Sequence, residues 1–213
     1  MINLTDSAWL HVDATCCVLN KPAGLPSVPG RGELAEGSLA QQVQQRYPDA
    51  LVVHRLDMAT SGLILMARGP QWQRAYSRLF AERAVHKSYV AVVHGLMQQD
   101  SGQIDLPLIA DWPNRPKQKV DAILGKPSMT VFRVSYRDES TSCTRVMLQP
   151  VTGRSHQLRV HLQAIGHPIV GDPLYAPLPW QNDAQRLLLH SQELSLTHPQ
   201  SAQTVVWRAP ADF

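Results

Sequence analysis

The sequence has little of what marks a secreted, membrane-bound or metal-built protein. Three cysteines are spread over 213 residues, with Cys16 and Cys17 adjacent and Cys143 alone. An odd count without C-x-x-C spacing excludes a disulfide framework and a cysteine zinc site, and points to reduced, structural thiols. No run approaches the ~18 apolar residues of a membrane span. The opening, MINLTDSAWLHVD, carries acids and no basic region, so no secretory leader is expected. Internal repeats and low-complexity tracts are missing as well. These absences leave a cytoplasmic chain, and the length admits one or two domains.

The chain does have enough apolar residues for a sizeable core, at 44% hydrophobic against 17% charged. Net charge is only +3, but arginine supplies 15 of the 20 basic residues. Arginine is the better side chain for forked phosphate contacts and for stacking on bases, so the composition permits a nucleic-acid partner without requiring one. The nine histidines invite a metal reading. However, His156 and His161 are five residues apart, about 140° around a helix, and cannot share a ligand face. No metal is expected.

Residues 51–67, LVVHRLDMATSGLILMA, organise the rest. Two apolar runs of strand length flank a polar insert from His54 to Gly62, which reads as a loop between buried strands. If the insert stays extended, Arg55 and Asp57 leave on one face with His54 and Leu56 on the other. Thr60, Ser61 and Gly62 are then expected to turn it. An isolated Asp before Ser-Gly is an ordinary turn residue.

Elsewhere, residues 15–19 read as a strand broken by a Pro/Gly loop from Asn20 to Gly32. Ser38 and Gln41 form a capping box for a helix over 39–47, ended by Pro48. Residues 70–83 place Trp72, Tyr76, Leu79 and Phe80 at helical spacing, as core. Around that helix Arg68, Arg74, Arg78, Arg83 and Lys87 face one acid, Glu82, a balance that suits phosphate. Residues 88–93 alternate as a strand bearing Tyr89. Residues 105–127 hold four prolines, no sustained period, and Arg115, Lys117, Lys119 and Lys126 beside Trp112. This reads as a long ordered loop or a solvated connection, and its cations beside a ring suit phosphates and an unpaired base of a nucleic acid.

Strands are expected over 129–137, 143–149, 187–198 and 204–208. Between them, Leu158, Leu162 and Ile165 form a helical stripe ended by Gly166, with Ser155 as N-cap and Arg154 at the helix start. A cation there is disfavoured by the helix dipole unless an anion, a phosphate or Asp57, lies between. With many strands, few helices and no regular βα alternation, the fold class is α+β.

His54-Arg55-Leu56-Asp57 followed by Thr60-Ser61-Gly62 resembles the signature of the RluA-type pseudouridine synthases. The Asn20–Ser27 loop, Lys87–Ala91 and Thr152–His161 resemble further motifs of that family. Asp111–Lys119 and Ala209–Phe213 look like its RluA subgroup. The resemblance implies a mixed, largely antiparallel sheet with flanking helices and loops, the pseudouridine synthase catalytic fold, and a central active-site cleft. It implies cofactor-free isomerisation of uridine in RNA, by breaking the N1–C1′ bond, turning the uracil and joining C5 to C1′.

Asp57 falls on the catalytic residue, as nucleophile at C1′ or C6 or as base at C2′, with Arg154 as its ion-pair partner and Tyr89 stacking on the base. Arg55 is the candidate to fill the place of a flipped-out uridine, and His54, Arg74, Arg78, Trp112, Arg115, Lys117 and Lys119 are the other expected RNA contacts. The implied partners are the anticodon stem-loop of tRNAs and a hairpin of 23S-type large-subunit rRNA, with no membrane and no obligate protein partner. Relatives often carry an N-terminal S4 domain. The fourteen residues before Thr15 are too few for one, so a single catalytic domain over 1–213 is expected.

Two rivals come from other classes. A glycosidase needs a second carboxylate opposite Asp57, and nothing ties Asp105 or Asp172 to it. A non-catalytic RNA-binding or ribosome-assembly module needs the basic surfaces but has no use for Asp57.

Overall fold

The computed structural model describes residues 2–30 and 36–213. In chain order the elements are β1 (Trp9–Val12), β2 (Cys16–Lys21), α1 (Leu39–Arg46), β3 (Ala50–Val52), β4 (Ser61–Arg68), α2 (Gly69–Ala81), β5 (His86–His94), β6 (Ser101–Asp105), β7 (Leu108–Ala110), β8 (Gln118–Val120), β9 (Met129–Asp138), β10 (Cys143–Pro150), α3 (Gln157–Ala164), β11 (Leu189–Thr197) and β12 (Thr204–Arg208). This is an α+β fold. No helix among the described residues is long and apolar enough to cross a membrane. The expected Pro/Gly loop after β2 ends at Gly32, which lies outside the described residues.

The chain divides into two compact units, residues 1–87 with 190–212, and residues 88–189 with Phe213. In the first, β4 is the central strand. β2 pairs antiparallel along it, from Lys21 opposite Gly62 to Cys16 opposite Ala67. β3 pairs antiparallel with its far end, and β11 pairs parallel with its start, His190 opposite Ser61 and Ser191 opposite Gly62. β1 flanks β2, and β12 flanks β11. Every residue of β4 from Ser61 to Ala67 is buried, so both faces of the strand are covered. Leu63, Leu65 and Ala67 pack with Cys16, Val18 and Leu194 against Tyr76 of α2, backed by Trp72, Leu79 and Phe80. The aromatics of the 70–83 pattern are therefore core. Each fully buried Leu or Ile here contributes about 1.5–3 kcal/mol.

The second unit is an antiparallel sheet in the order β5, β10, β9, β6, with α3 and a two-stranded ribbon, β7–β8. That ribbon corrects the reading of 105–127 as one long ordered loop without strands. Leu108 pairs with Val120 and Ala110 with Gln118, while a 3-10 turn at Trp112–Asn114 makes the bend. The strands are only three residues long, too short to leave a period in the sequence. α3 also starts later than expected. Its N-cap is His156, in the left-handed region at φ 54, rather than Ser155. Ile165 lies beyond its last turn and is 36% exposed.

The turn in the 54–62 insert also falls earlier than the sequence implies. It lies at Met58–Ala59, closed by Thr60 N–H on the Asp57 carbonyl at 3.1 Å. Gly62 is already in β4, at φ +110, where an added Cβ would sit 2.2 Å from the Ser191 carbonyl oxygen. Only glycine allows β11 to approach β4 so closely. Gly62→Ala combines backbone strain with overpacking, so urea unfolding should show a loss of about 3 kcal/mol or more. A loss below about 1 kcal/mol would mean that β11 moves aside at little cost.

Candidate active site

In the first unit, the peptide on each side of Asp57 is fixed by the loop after β2. Ser27 Oγ donates to the Leu56 carbonyl at 2.7 Å and accepts the Leu56 N–H at 3.1 Å. On the other side, the Met58 carbonyl accepts from Gly24 N–H at 2.8 Å and from Lys21 Nζ at 3.0 Å. Leu56 is buried and Arg55 exposed, which keeps the expected alternation. Asp57 is half-buried, a carboxylate on a backbone braced by these bonds.

Lys21 is the residue that sequence reasoning missed. It is fully buried, and its Nζ donates to three carbonyls, Pro22 at 3.0 Å, Leu25 at 2.8 Å and Met58 at 3.0 Å. Burial pushes the ammonium down to about 7, while the nearby charge of Asp57 acts to raise it. Three carbonyl acceptors take three protons, which only the charged form supplies. Below about 7, where it holds its proton, Lys21 thus places a positive charge in the electrostatic field of Asp57 within the same unit. The sequence signal was Lys21 itself, at the end of an otherwise apolar strand where a solvated lysine has no place.

His54 is a support for this loop. Its Nε2 accepts the Leu65 N–H at 2.9 Å and its ring stacks on Phe80 at 4.3 Å. Burial, with the charge of Lys87, pushes its pKa down to about 3. A neutral imidazole with one nitrogen already committed is a poor phosphate ligand. The cation row around α2 also divides. Arg68 binds both carboxylate oxygens of Asp49, at 2.8 and 2.9 Å; Arg78 pairs with Glu82 at 2.7 Å; Arg74 is exposed.

In the second unit, Tyr89 lies on β5 opposite Leu148, 9% exposed, and Arg154 is exposed ahead of α3. The Arg154 backbone is held by Gln157, a second residue the sequence reading passed over. The Gln157 side-chain oxygen accepts from Arg154 N–H at 3.1 Å and from Thr152 Oγ1 at 2.7 Å. Its nitrogen donates to the Met129 carbonyl at 2.9 Å and to Thr130 Oγ1 at 3.0 Å. All four of its bonding positions are filled, so the buried amide acts as a staple. On the β7–β8 ribbon, Arg115 lies 4.6 Å over the ring of Trp112, which is 66% exposed. Arg115 and Lys119 are also exposed, and Lys117 is half-buried.

Among the described residues, His11, Asp13 and Cys16 bring metal-type donor atoms within 4.8 Å of one another. The carboxylate is already occupied. Asp13 Oδ1 accepts from Thr15 N–H, Thr15 Oγ1 and Cys16 N–H at 2.7–2.8 Å, and Oδ2 meets His11 at 3.0 Å and His198 at 3.3 Å. Burial drives the Cys16 thiol up to about 11, which disfavours the thiolate a metal binds. The cluster fits a turn brace better than an ion.

Residues 15–164 match the family model described as RNA pseudouridylate synthase. The chain is 50% identical over 205 residues to the dual-specificity RNA pseudouridine synthase RluA of Escherichia coli K12, covering 96% of this chain and 93% of that one. It is 51% identical over 198 residues to the protein of the same name from Vibrio parahaemolyticus, covering 92% and 79%. Among solved structures it is similar to human RNA pseudouridylate synthase domain containing 1, at TM-score 0.83 and 27% identity over 100% of this chain and 87% of that one. The chain belongs to the RNA pseudouridylate synthase family, as an RluA-type member. It is an RNA pseudouridine synthase.

Lys21 gives this site a pH signature. Above about 7 the native amine is neutral, while the unfolded chain keeps its proton to about 10.5. The unfolded state then binds more protons, so the stability attributable to Lys21 rises with pH in that window. In denaturant titrations of wild type and Lys21→Met, the wild-type advantage should grow by roughly 1 kcal/mol or more from pH 7 to pH 9. A flat difference would mean that the carbonyls and Asp57 hold the proton throughout.

Proposed function

We propose that this enzyme isomerises particular uridines in two classes of structured RNA, the anticodon stem-loop of tRNAs and a hairpin of large-subunit rRNA. It does so in the cytoplasm, without a cofactor or an obligate protein partner, and residues 1–213 act as one catalytic domain. The observation that carries the reading is the backbone clamp on both sides of Asp57, from Ser27 on Leu56 and from Gly24 and Lys21 on Met58. Such a brace serves a side chain whose position matters within a fraction of an ångström. A passive binding module has no use for it.

Asp57 acts as nucleophile or base, and it must stay ionised to do so. A neighbouring cation favours the ionised form, and Lys21 and Arg154 supply that cation in this reading. Tyr89 stacks on the base, since its ring offers a π face and its phenol is too weakly basic to take a proton readily at neutral pH. The uridine leaves its stack at a cost of a few kcal/mol, which Arg55 offsets by occupying the vacated place. Trp112, Arg115, Lys117 and Lys119 hold RNA on the β7–β8 ribbon, with Arg74 and Arg78 adding charge beside α2. The Arg115–Trp112 stack supports this, because it presents a cation and a ring as one preformed unit.

Asp57→Asn should lower tritium release from C5-labelled uridine in unmodified tRNA by about a thousandfold or more, with the Kd for RNA within about tenfold. Near-normal release by this variant removes the catalytic role of Asp57. The same assay on wild type separates the rivals, since free uracil identifies a glycosylase and binding without release a passive module.

Neutralising Arg115, Lys117 and Lys119 together should raise KM for tRNA and reduce the salt dependence of binding by about two phosphate contacts, at ~0.7–0.9 in slope per contact. Turnover at saturating RNA should barely change. A steep fall in turnover at an unchanged salt slope would mean that the ribbon positions the uridine rather than the backbone.

A further inference from the structure

The second unit contains one hydroxyl that joins the basic ribbon to the turn bearing Arg154. Tyr175 is fixed from below. Arg159 of α3 forms a buried fork on Asp172, Nε to Oδ2 at 2.8 Å and Nη2 to Oδ1 at 2.7 Å. Asp172 Oδ1 also accepts the N–H groups of Leu174 and Tyr175, at 2.9 and 3.1 Å. The Arg159 guanidinium lies 5.0 Å from the centre of the Tyr175 ring. Carboxylate, guanidinium and ring therefore set the direction of the phenol before its oxygen touches anything.

That oxygen has two partners in different elements. Gln118 N–H, at the start of β8, donates to it at 2.8 Å. His156 Nδ1 lies 2.7 Å away. Gln118 uses the oxygen as an acceptor, while the direction of the bond to His156 Nδ1 follows the tautomer of the imidazole. His156 is also the left-handed residue, φ 54 and ψ 14, that bends the chain from Arg154 into α3. A histidine holds that conformation only where its surroundings fix it. One end of the Tyr175 bridge is thus the backbone of β8, which bears Lys119 and directly follows Lys117. The other is the bend two residues after Arg154.

We propose that Tyr175 is a positioning residue for the isomerisation, its hydroxyl transmitting the seating of RNA on the β7–β8 ribbon to the backbone that presents Arg154. The proposal rests on the roles proposed above for the ribbon and for Arg154. It adds that the two are coupled, through one hydroxyl and the His156 ring. The Arg159–Asp172 fork and the Arg159–ring contact do not involve the hydroxyl, so it can be removed without losing its support.

The test uses the full-length enzyme and unmodified tRNA, with single-turnover rates at saturating enzyme and separate measurements of Kd. Tyr175→Phe keeps the ring beneath Arg159 and removes only the hydroxyl. Its rate should fall about tenfold, with Kd changed less than threefold and thermal unfolding within a few degrees of wild type. His156→Asn tolerates the left-handed backbone but lacks the imidazole, and should lose rate similarly. The double variant should be no slower than the slower single variant, because both changes remove one shared link.

A wild-type rate for Tyr175→Phe, or losses that multiply in the double variant, overturns the coupling. Arg154→Ala, measured alongside, separates the two levels. If it is inactive while Tyr175→Phe runs at the wild-type rate, the coupling alone is wrong. If Arg154→Ala itself turns over normally, the role of Arg154 fails, and the coupling with it.

Discussion

The placement of Asp57 depends on a backbone constraint set by residues remote in sequence. A residue in an irregular segment between two strands would ordinarily move with its loop. Here the preceding peptide is bonded twice by Ser27 and the following carbonyl accepts from Gly24 and Lys21. These contacts span 29 to 37 residues of sequence, so the brace exists only once β2 and β4 are paired. The pairing is enforced by burial of both strands and by Gly62, whose missing side chain admits β11. Core formation and site formation are therefore one event in this unit.

The second unit solves the same problem with side-chain amides and rings. Arg154 is exposed, and an exposed arginine loses much entropy when it is ordered. What can be prepaid is the backbone from which it springs. Gln157 holds its N–H, and Gln157 N–H in turn donates to the Arg154 carbonyl at 3.2 Å. The staple continues inward from Gln157 to Thr130 Oγ1, on to His161 Nδ1, and from His161 Nε2 to the Leu106 carbonyl. Each donor in this chain meets an acceptor, which is the condition for a buried polar network to rigidify rather than destabilise.

The sequence made the long elements and the candidate carboxylate legible, for different reasons. Strands such as β4, β5, β9 and β10 run eight to ten residues, and α2 runs thirteen, lengths at which hydrophobic period is a clear signal. β1, β6, β7 and β8 run three to five residues with polar or proline neighbours, and their pairing is settled by tertiary contacts that no local pattern encodes. Asp57 was legible through the resemblance of His54-Arg55-Leu56-Asp57 and Thr60-Ser61-Gly62 to the family signature, since an isolated Asp before Ser-Gly reads as a turn residue. Lys21, Gln157 and Tyr175 were not, since each acts through bonds to residues remote in sequence. The left-handed turn at His156 was likewise hidden, because nothing in Arg-Ser-His-Gln requires it.

The histidines extend this point to charge. Nine of them in a chain of net charge +3 suggest a surface whose charge varies near neutrality. Several are instead neutral pivots with defined tautomers. His54 accepts a backbone N–H. His190 lies between Ser61 Oγ at 2.8 Å and the Ala209 carbonyl at 2.9 Å, so Nε2 bears the proton and Nδ1 accepts the hydroxyl. His161 follows the same rule, and burial lowers its pKa. A ring nitrogen that accepts a backbone N–H, as His54 Nε2 does, cannot gain a proton without breaking that bond. The positive charge offered to RNA therefore comes from arginine and lysine, whose ionisation lies far above neutrality when they are exposed. His161, through Thr130 and Gln157, helps to fix the backbone from which Arg154 springs.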